Sequence, residues 1–465
     1  MPRKARGKGV TVLSDMNDAS PDEDEVPDMT ESPTIRSAMV FFEELLRGCE
    51  TPNIAVRFWD GSVWRLREEE RIEATLVLRH PDSLSRMLRW PVQLALGEAY
   101  IYDDIDVLGS LDALLPLADH LMKRRWSLTD WLRCGVATWR HRNLDRLPEE
   151  TRNLALHGRR HEKPRDKAAM RFHYDAPVEF YRLWLDSRLL YSCGYYQHED
   201  DDLEQAQFQK LEYLCRKLRL KPGDRILDIG CGWGGFALYA AQTHGALVHG
   251  ITLSRRQAEV ANHRITAAGM SRRCRIEVRD FRDVHGDQLY DKIISIGMVE
   301  HIGTNRLAPY YERALGLLSP GGVFLNQGIG TRDGEPALGA FAQRYVFPDA
   351  ELVPIQDIVR TAESCGFEVW DVESLRQHYA LTLDAWGQRL ERHHQEALRA
   401  VGEVTYRVWR AYMAMAAYLF RQGRLSLYHT MCVKALDGHT DLPLTRKDWY
   451  ESRISEARVR QEAAA

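Results

Sequence analysis

The sequence lacks the features that identify several large classes of protein. It has eight cysteines among 465 residues but no CxxC pair and no regular cysteine spacing, so neither a disulfide framework nor a metal site is predicted. It lacks an excess of basic residues, with 63 Lys+Arg against 67 Asp+Glu, which disfavours a dedicated nucleic-acid-binding protein. It also has no apolar run long enough to cross a bilayer, and no apolar segment follows the first basic residues as in a secretory signal. We therefore expect a cytoplasmic protein that touches a membrane at most peripherally.

The first quarter of the chain divides by composition into a tail and a small domain. Residues 1–36 are rich in Asp, Glu, Pro and Ser and poor in aromatics, which predicts a disordered tail. Residues 37–120 alternate helical and strand patterns, and Asp60-Gly61 between two apolar runs is a strong hairpin signal. A small α+β domain is predicted there.

A basic segment, predicted to be a helical linker over residues 121–170, follows the small domain. Between Asp119 and Arg171 the chain has 14 Lys+Arg and 7 Asp+Glu, interspersed with Trp126, Trp131 and Trp139. Cations mixed with interfacial aromatics are what an anionic phospholipid surface attracts. A solvated linker between two domains explains the same composition, and both interpretations stay open.

Residues 171–465 alternate strand and helix signals over most of their length. Continuous apolar strands separated by helical segments predict a doubly wound, mostly parallel α/β sheet. Ligands of such sheets bind at the carboxyl ends of the strands, so the loops after the strands are where the chemistry is expected. From Leu381 to Leu436 the pattern is helical and aromatic, which predicts a helical cover over that site.

A glycine-rich turn follows the first strand of this array. The segment LDIGCGWGGF places Asp228 at the end of a strand and then Gly230, Gly232 and Gly234 before a helix. Glycine lets the backbone approach a ligand closely and adopt positive φ. The third glycine comes too soon for a dinucleotide-binding GxGxxG motif. The pattern instead resembles the S-adenosylmethionine (SAM) site of class I methyltransferases, which have a Rossmann-like sheet.

That resemblance implies further cofactor contacts at the ends of the next two strands. The second strand of such enzymes usually ends in an acid that binds the ribose, whereas this chain has hydroxyls and an amide there, which still form hydrogen bonds. Thr252 and Ser254 could equally cap the next helix. The third strand ends where an acceptor and a ring for the adenine are expected. The residues so predicted are Thr252, Leu253, Ser254, Gln257, Asp280 and Phe281.

Four further segments resemble one family, the cyclopropane-fatty-acyl-phospholipid and mycolic acid cyclopropane synthases. They are, in the order in which the family has them, HYDAPVEFYRLWLDSRLLYSCGYY (173–196), ISIGMVEHIG (294–303), RYVFPDAELVP (344–354) and HYALTLDAW (378–386). The N-terminal GEAYIYDDIDV is similar to the family's small lipid-binding domain. The resemblance therefore covers nearly everything after residue 40.

The resemblance implies that SAM donates a methylene group to the double bond of an unsaturated acyl chain in a membrane phospholipid, forming a cyclopropane ring. The small domain and the basic linker would then dock on the anionic inner face of the membrane, and a homodimer is compatible with the family. Two alternatives stay open: an enzyme that makes methyl-branched or methylene fatty acids, and a lipid-binding homologue that has lost catalysis.

The resemblance also implies a set of site residues. Tyr191 and Ser192 would lie against SAM, and a bicarbonate ion would act as the base in a site formed by Cys193, Glu300, His301, Gln327, Ile329 and Tyr379. Taken singly, Cys193 would be a buried apolar residue, Glu300 an acid at a helix start and Tyr379 a core residue.

Gln327 is where this chain departs from the family pattern. Most members have LLHTIG where this chain has LNQGIG, so an amide replaces a histidine. Glutamine can donate a hydrogen bond but cannot titrate. Bicarbonate binding is therefore in doubt, and ring closure is a less secure prediction than methyl transfer.

Overall fold

The computed structural model describes residues 33–46, 54–65, 71–123, 156–174, 176–331, 339–440 and 442–450. The strands are β1 Ile54–Arg57, β2 Val63–Arg65, β3 Ala74–Leu78, β4 Ile105–Gly109, β5 Arg225–Ile229, β6 Leu247–Thr252, β7 Cys274–Val278, β8 Tyr290–Ile296, β9 Leu318–Thr331, β10 Glu368–Ser374 and β11 Leu425–Val433. The α-helices are α1 Pro33–Leu46, α2 Ser83–Met87, α3 Val92–Ile101, α4 Leu115–Lys123, α5 Lys163–Tyr174, α6 Val178–Arg182, α7 Leu203–Lys217, α8 Gly235–His244, α9 Arg255–Ala267, α10 Leu307–Leu317, α11 Ala340–Tyr345, α12 Ile355–Ser364, α13 Arg376–Arg392, α14 His394–Arg421 and α15 Lys447–Tyr450.

The N-terminal region forms a four-stranded sheet in the order β2-β1-β3-β4. The predicted hairpin joins β1 and β2, and its turn is fixed by Asp60, whose Oδ1 accepts hydrogen bonds from the backbone N and the Oγ of Ser62 at 2.9 and 2.7 Å. Helix α1 begins at Pro33, so residues 33–36 of the predicted tail are helical, which fits the preference for proline in a first helical turn. The rest of the tail lies outside the described residues.

The larger sheet has seven strands in the order β10-β11-β9-β8-β5-β6-β7. Strands β5 to β9 are parallel, as the alternating pattern predicted, and they place the carboxyl ends of β5, β6, β7 and β8 side by side. This is the α/β architecture expected of a class I methyltransferase.

The expectation of continuous helix from Leu381 to Leu436 is wrong at its end. Helices α13 and α14 account for the first part, but 425–433 forms β11, which pairs antiparallel with β9 on one side and β10 on the other. Apolar and β-branched residues fill this segment, and most are buried, which suits a central strand better than a helix. Strand β10 was also absent from the predicted elements.

One apolar core connects the N-terminal sheet to the larger one. Phe42 and Leu76 belong to the same buried cluster as Trp184, Trp386 and Trp409. Apolar packing therefore joins the two parts of the chain. The domain boundaries 37–120 and 171–465 remain predictions.

Helix α14 is fastened to the N-terminal sheet by Arg407. Its Nη1 donates to the carbonyl oxygen of Tyr100 at 2.9 Å, and its Nη2 lies 2.9 Å from the Oδ1 of Asp103. The Arg407 side chain is 9% exposed and its bond to the Tyr100 carbonyl is buried, whereas Asp103 is 50% exposed, so the ion pair is open to solvent on one side.

Most of the basic linker, including Trp126, Trp131 and Trp139, lies outside the described residues. In the part that the structure does show, three counted cations are already paired: Arg160 with Glu351, Lys163 with Asp283 and Arg165 with Asp349. Pairing reduces the charge available to a lipid surface, and membrane docking through this segment stays a prediction. Within the described ranges, no helix has the length and apolarity to span a bilayer.

Candidate active site

A cavity of about 320 Å³ opens at the carboxyl ends of β5 to β8. All predicted cofactor contacts except Gly234 and Ser254 line it, namely Tyr191, Ser192, Asp228, Gly230, Gly232, Thr252, Leu253, Gln257, Asp280 and Phe281. Strand order brings these residues together from segments that are far apart in the sequence.

The glycine-rich turn forms the floor of this cavity. Gly230 and Gly232 have φ of +78° and +54°, in the region that residues with a Cβ rarely adopt. A Cβ on Gly230 would lie 2.5 Å from the Cγ of Met298, so the turn has no room for a side chain there. Gly234 has another role, because it caps α8 with φ of +76° and packs against Ala261 of α9.

Asp228 supplies a buried acceptor at the end of β5. It is 4% exposed, and its Oδ2 has no hydrogen-bond partner among the described residues. Burial raises the pKa of this carboxyl to about 7. An unpaired carboxylate beside a glycine turn fits a ligand with hydroxyl or ammonium donors, which SAM has.

We expect SAM binding to strengthen as the pH rises from 6 to 8. Ligand donors favour the ionised form of Asp228, whose population rises through its pKa of about 7, so affinity should increase by up to about tenfold. Isothermal titration at several pH values measures this. The D228N variant is the control, because the pH dependence of its SAM affinity comes from titration of the ligand alone. A wild-type dependence parallel to that of D228N would contradict the prediction.

The residues after β6 serve partly as caps, as one of the two interpretations held. The Oγ of Ser254 accepts from the backbone N of Gln257 at 3.3 Å and caps α9 away from the cavity wall. Thr252 donates from its Oγ1 to the Oε1 of Gln257 at 2.7 Å while both residues line the cavity. The Gln257 amide is thereby oriented, with its nitrogen left to donate elsewhere.

The carboxylate of Asp280 is already engaged. Arg282 donates from Nε and Nη2 to its two oxygens at 2.8 and 2.6 Å, and also forms an ion pair with Asp166 at 3.0 Å. Sequence reasoning missed Arg282 and Asp166, although both line the cavity. An adenine contact by Asp280 remains a prediction. It would use the lone pairs of the carboxylate oxygens that Arg282 does not occupy.

Glu300 and Ile329 are joined by a hydrogen bond, next in sequence to the cavity-lining His301. The Oε1 of Glu300 accepts from the backbone N of Ile329 at 2.7 Å, whereas its Oε2 is buried and has no partner in the described part of the chain. Burial raises the pKa of Glu300 to about 7. The neighbouring His301 lines the cofactor cavity, and burial lowers its pKa to about 4, so it is neutral.

Cys193 and Tyr379 lie close to Glu300 in a buried environment. Cys193 donates from its thiol to the carbonyl of Gly194 at 3.1 Å, and burial raises its pKa to about 12, so it stays a thiol. The Tyr379 ring lies 4.8 Å from that of Phe420, and burial raises its pKa well above 10, with smaller contributions from Cys193 and Glu300. Neither group is poised to act as a nucleophile.

Three tryptophan rings pack around Tyr191, which lines the cofactor cavity. The Tyr191 ring lies 5.3 Å from that of Trp184, 5.2 Å from that of Trp386 and 5.9 Å from that of Trp409. Of these four residues, which we call the aromatic box, sequence reasoning found only Tyr191. Ring faces stabilise a positive charge without admitting water.

Gln327, which the resemblance implies as a bicarbonate ligand, is a buried residue of β9. It lies on β9 two residues before Ile329, is 2% exposed and accepts from the imidazole Nε2 of His429 at 2.8 Å through its Oε1. His429 was not among the predicted site residues, because it lies on β11, in a segment whose sequence pattern predicted a helix.

A second cavity, of about 710 Å³, lies between the N-terminal sheet and α14. Its lining is mainly apolar and includes Leu76, Leu96, Val107, Leu117, Met415 and Ala416. Tyr412 is part of this wall and also interacts through its hydroxyl with Tyr191 of the aromatic box. The apolar cavity therefore adjoins the aromatic box.

Over the part of the chain described here, no group of three His, Cys, Asp or Glu side chains could hold a metal ion.

Comparison with known proteins agrees with this geometry. A family model described as mycolic acid cyclopropane synthetase matches residues 161–430, and one described as a domain of unknown function (DUF7884) matches residues 41–123. The chain is 37% identical over 403 residues to a probable fatty acid methyltransferase of Pseudomonas putida, covering 85% of this chain and 96% of that protein. It is 33% identical over 265 residues to the cyclopropane-fatty-acyl-phospholipid synthase of Escherichia coli, covering 57% and 67% of the two chains.

A solved structure gives the same result. The mycolic acid cyclopropane synthase CmaA1, in complex with SAH and CTAB, superposes with a TM-score of 0.55 at 31% identity. The alignment covers 58% of this chain and 98% of that one.

Proposed function

Because this chain belongs to the mycolic acid cyclopropane synthetase family, whose members are SAM-dependent methyltransferases of lipids, we propose that it converts unsaturated acyl chains of membrane phospholipids into cyclopropane acyl chains. One observation carries the proposal. A buried carboxylate, Glu300, has an oxygen without a partner among the described residues, adjoins His301 of the SAM-type cavity, and interacts electrostatically with Tyr412, which forms a hydrogen bond with Tyr191 of the aromatic box.

The reaction needs an electrophile, a stabilised cation and a place for one proton. SAM supplies a methyl group on a positively charged sulfur. The alkene π pair forms a bond to that methyl carbon while the carbon–sulfur bond breaks, which leaves a positive charge on the neighbouring acyl carbon. Loss of a proton from the new methyl group then lets its C–H pair close the ring.

The residues of this chain fit those needs. The glycine turn and Asp228 position the cofactor beside the acyl chain, which contributes through proximity. The aromatic box faces the transient positive charge and keeps water away. With its pKa raised to about 7, Glu300 can hold the released proton at Oε2. The Glu300 Oε2 and the Gln327 amide are the groups that would hold a bicarbonate ion, which would supply a further base.

The apolar cavity is the proposed site of the acyl chain. Its walls are side chains of the N-terminal sheet and α14, and Tyr412 separates it from the aromatic box. An unsaturated chain that enters from the N-terminal side would place its double bond past Tyr412, next to the cofactor.

A second candidate product is supported by Gln327. If the amide holds a base less firmly than a histidine would, ring closure slows, and a hydride can move from the methyl-bearing carbon to the cationic carbon. Loss of a methyl proton from the new cation then leaves a methylene branch, which a separate hydride-donating enzyme would have to reduce to a methyl branch. The fatty acid methyltransferase of Pseudomonas putida is similar over nearly its whole length. A homologue without catalysis is disfavoured, because Asp228 and Glu300 are both in place and each has an unpaired oxygen among the described residues.

Fatty acid analysis tests both the acceptor and the product. We expect a bacterial host that lacks its own synthase to gain, when it expresses this protein, a fatty acid one CH2 unit heavier than its monounsaturated acids. Gas chromatography with mass spectrometry of the phospholipid fraction identifies it, and resistance to mild hydrogenation separates a ring from a methylene branch. A soluble, SAM-binding protein that yields no new acid in this fraction would refute the phospholipid proposal.

A further inference from the structure

The histidine that family members have at position 327 has a counterpart on the adjacent strand. Gln327 of β9 and His429 of β11 are directly opposite in the antiparallel register, and the amide Oε1 and the imidazole Nε2 are 2.8 Å apart. Both side chains are buried, with 2% and 1% of their surface exposed. In such a pair the two side chains lie on the same face of the sheet.

The surroundings of His429 keep it neutral. Burial lowers its pKa well below 6.5, and Lys217, Lys210 and His378 lower it further. The facing acid, Glu373, does not offset this, because its Oε2 is 3.8 Å from the His429 Nδ1 and is engaged by Lys217 at 2.8 Å and by the Tyr213 hydroxyl at 2.9 Å. The Tyr213 ring stacks on the imidazole at 6.5 Å.

A neutral imidazole has a single N–H, and its position follows from the contact with Gln327. The amide oxygen can only accept, so the proton must be on Nε2. The Nδ1 atom has no hydrogen-bond partner among the described residues, which agrees with an unprotonated nitrogen.

This hydrogen bond determines which way the Gln327 amide points. With Oε1 held by His429, the NH2 group is left free to donate, and the described residues offer it no acceptor. Gln327 and Ile329 lie on one face of β9, since side chains alternate along a strand. The Ile329 side chain packs against the apolar cluster that contains Cys193 and Tyr379, so the Gln327 amide lies on the side of the sheet that holds these predicted site residues.

We propose that His429 is a positioning residue that orients the Gln327 carboxamide, so that its N–H groups face the predicted site residues Cys193 and Tyr379. Gln327 and His429, on two strands, thereby supply together the hydrogen-bond donor that a single histidine at position 327 would supply in most family members. The inference rests on the proposed function for its effect on products, whereas the orientation itself can be measured independently.

The sharpest test replaces His429 and then exchanges the two residues of the pair. We expect H429L to lower kcat on the order of tenfold and to shift the product from ring to branched acid, because the amide can then rotate. The KM for SAM should change little, since neither residue lines the cofactor cavity. H429Q, whose amide can still donate to Gln327, should retain more activity, and the double variant Q327H/H429Q should recover most of the kcat and the product ratio of the wild type.

The control is T430V on the same strand. Thr430 is equally buried, with 1% exposed, but it pairs with Asn326 and lies on the opposite face of β11. It should therefore leave the product ratio unchanged. A wild-type product ratio and kcat in folded H429L, or a folded double variant no better than H429L, would overturn the proposal.

A nitrogen NMR measurement on the wild-type protein covers the case in which H429L does not fold or in which no lipid product forms. The imidazole signal that disappears in H429Q should show the neutral tautomer with the proton on Nε2. A proton on Nδ1 would mean that the amide nitrogen, not its oxygen, faces His429, and would overturn the orientation whatever the reaction proves to be. Absence of any methylated lipid with this tautomer present would instead refute only the proposed function.

Discussion

The E300Q variant should lose on the order of 100-fold or more in the rate of product formation while it binds SAM normally. Glutamine can still accept from the backbone N of Ile329, as the Oε1 of Glu300 does at 2.7 Å. It cannot, however, take up a proton at the position of Oε2. Transfer of label from methyl-labelled SAM to lipid measures the rate, and isothermal titration measures the cofactor affinity.

The same substitution should stabilise the folded protein above neutral pH. The folded-state pKa of Glu300 is about 7, above its ordinary value of 4.5, so folding favours the protonated form and loses stability as the pH rises through this range. At pH 8 the E300Q variant should gain about 3 kcal/mol in free energy of unfolding, and less at pH 5. The surface variant E396Q, at an exposed position on α14, is the control for both effects. Full activity of E300Q would remove Glu300 from the mechanism.

The G232V variant should reduce SAM affinity by more than about 100-fold, the second large effect that we expect. Gly232 has φ of +54°, which a β-branched residue adopts only with strain. The added side chain would also extend from the turn that lines the cofactor cavity, where no protein atom lies within 4 Å of the position that a Cβ would take. Titration of SAM into the purified variant measures the loss.

Gly269 provides a matched control for the backbone strain. It has φ of +70° and equally open space around it, but it follows α9 and does not line the cofactor cavity. G269V should therefore lose stability as G232V does and keep its affinity for SAM. Equal losses of affinity in both variants would show that the turn acts through stability alone.

Local patterns were sufficient to predict the parallel part of the sheet and the cofactor cavity. Asp228, Gly230 and Gly232 lie within five residues of one another, and their spacing after an apolar strand specifies a turn that approaches a ligand. The hairpin at Asp60 was predicted for the same reason, since its signal is two residues long.

Features that depend on distant pairing were missed. Strand β11 follows a long helix and gains its identity from β9 and β10, so a helical pattern extended into it. With β11 misassigned, His429 could not be placed opposite Gln327. The pairing of Arg282 with Asp166 joins α5 to the end of β7, and nothing in either segment alone indicates it.

Local patterns also could not separate a binding residue from a cap. Ser254 and Thr252 have the same local context, yet only Thr252 lines the cavity, because Ser254 turns back to the first residues of α9. The difference follows from the direction of two side chains, which neighbouring strands determine.

The contacts of Arg407 with the N-terminal region have a consequence for how the chain folds during synthesis. The arginine binds the carbonyl of Tyr100 across 307 positions of sequence, and the apolar core likewise joins Phe42 to Trp409. Contacts of such long sequence separation form late, because a large loop must close first. The N-terminal sheet would therefore leave the ribosome well before α14 exists to cover it. The apolar surface that lines the second cavity would then be exposed for that interval, and a chaperone would be its natural early partner.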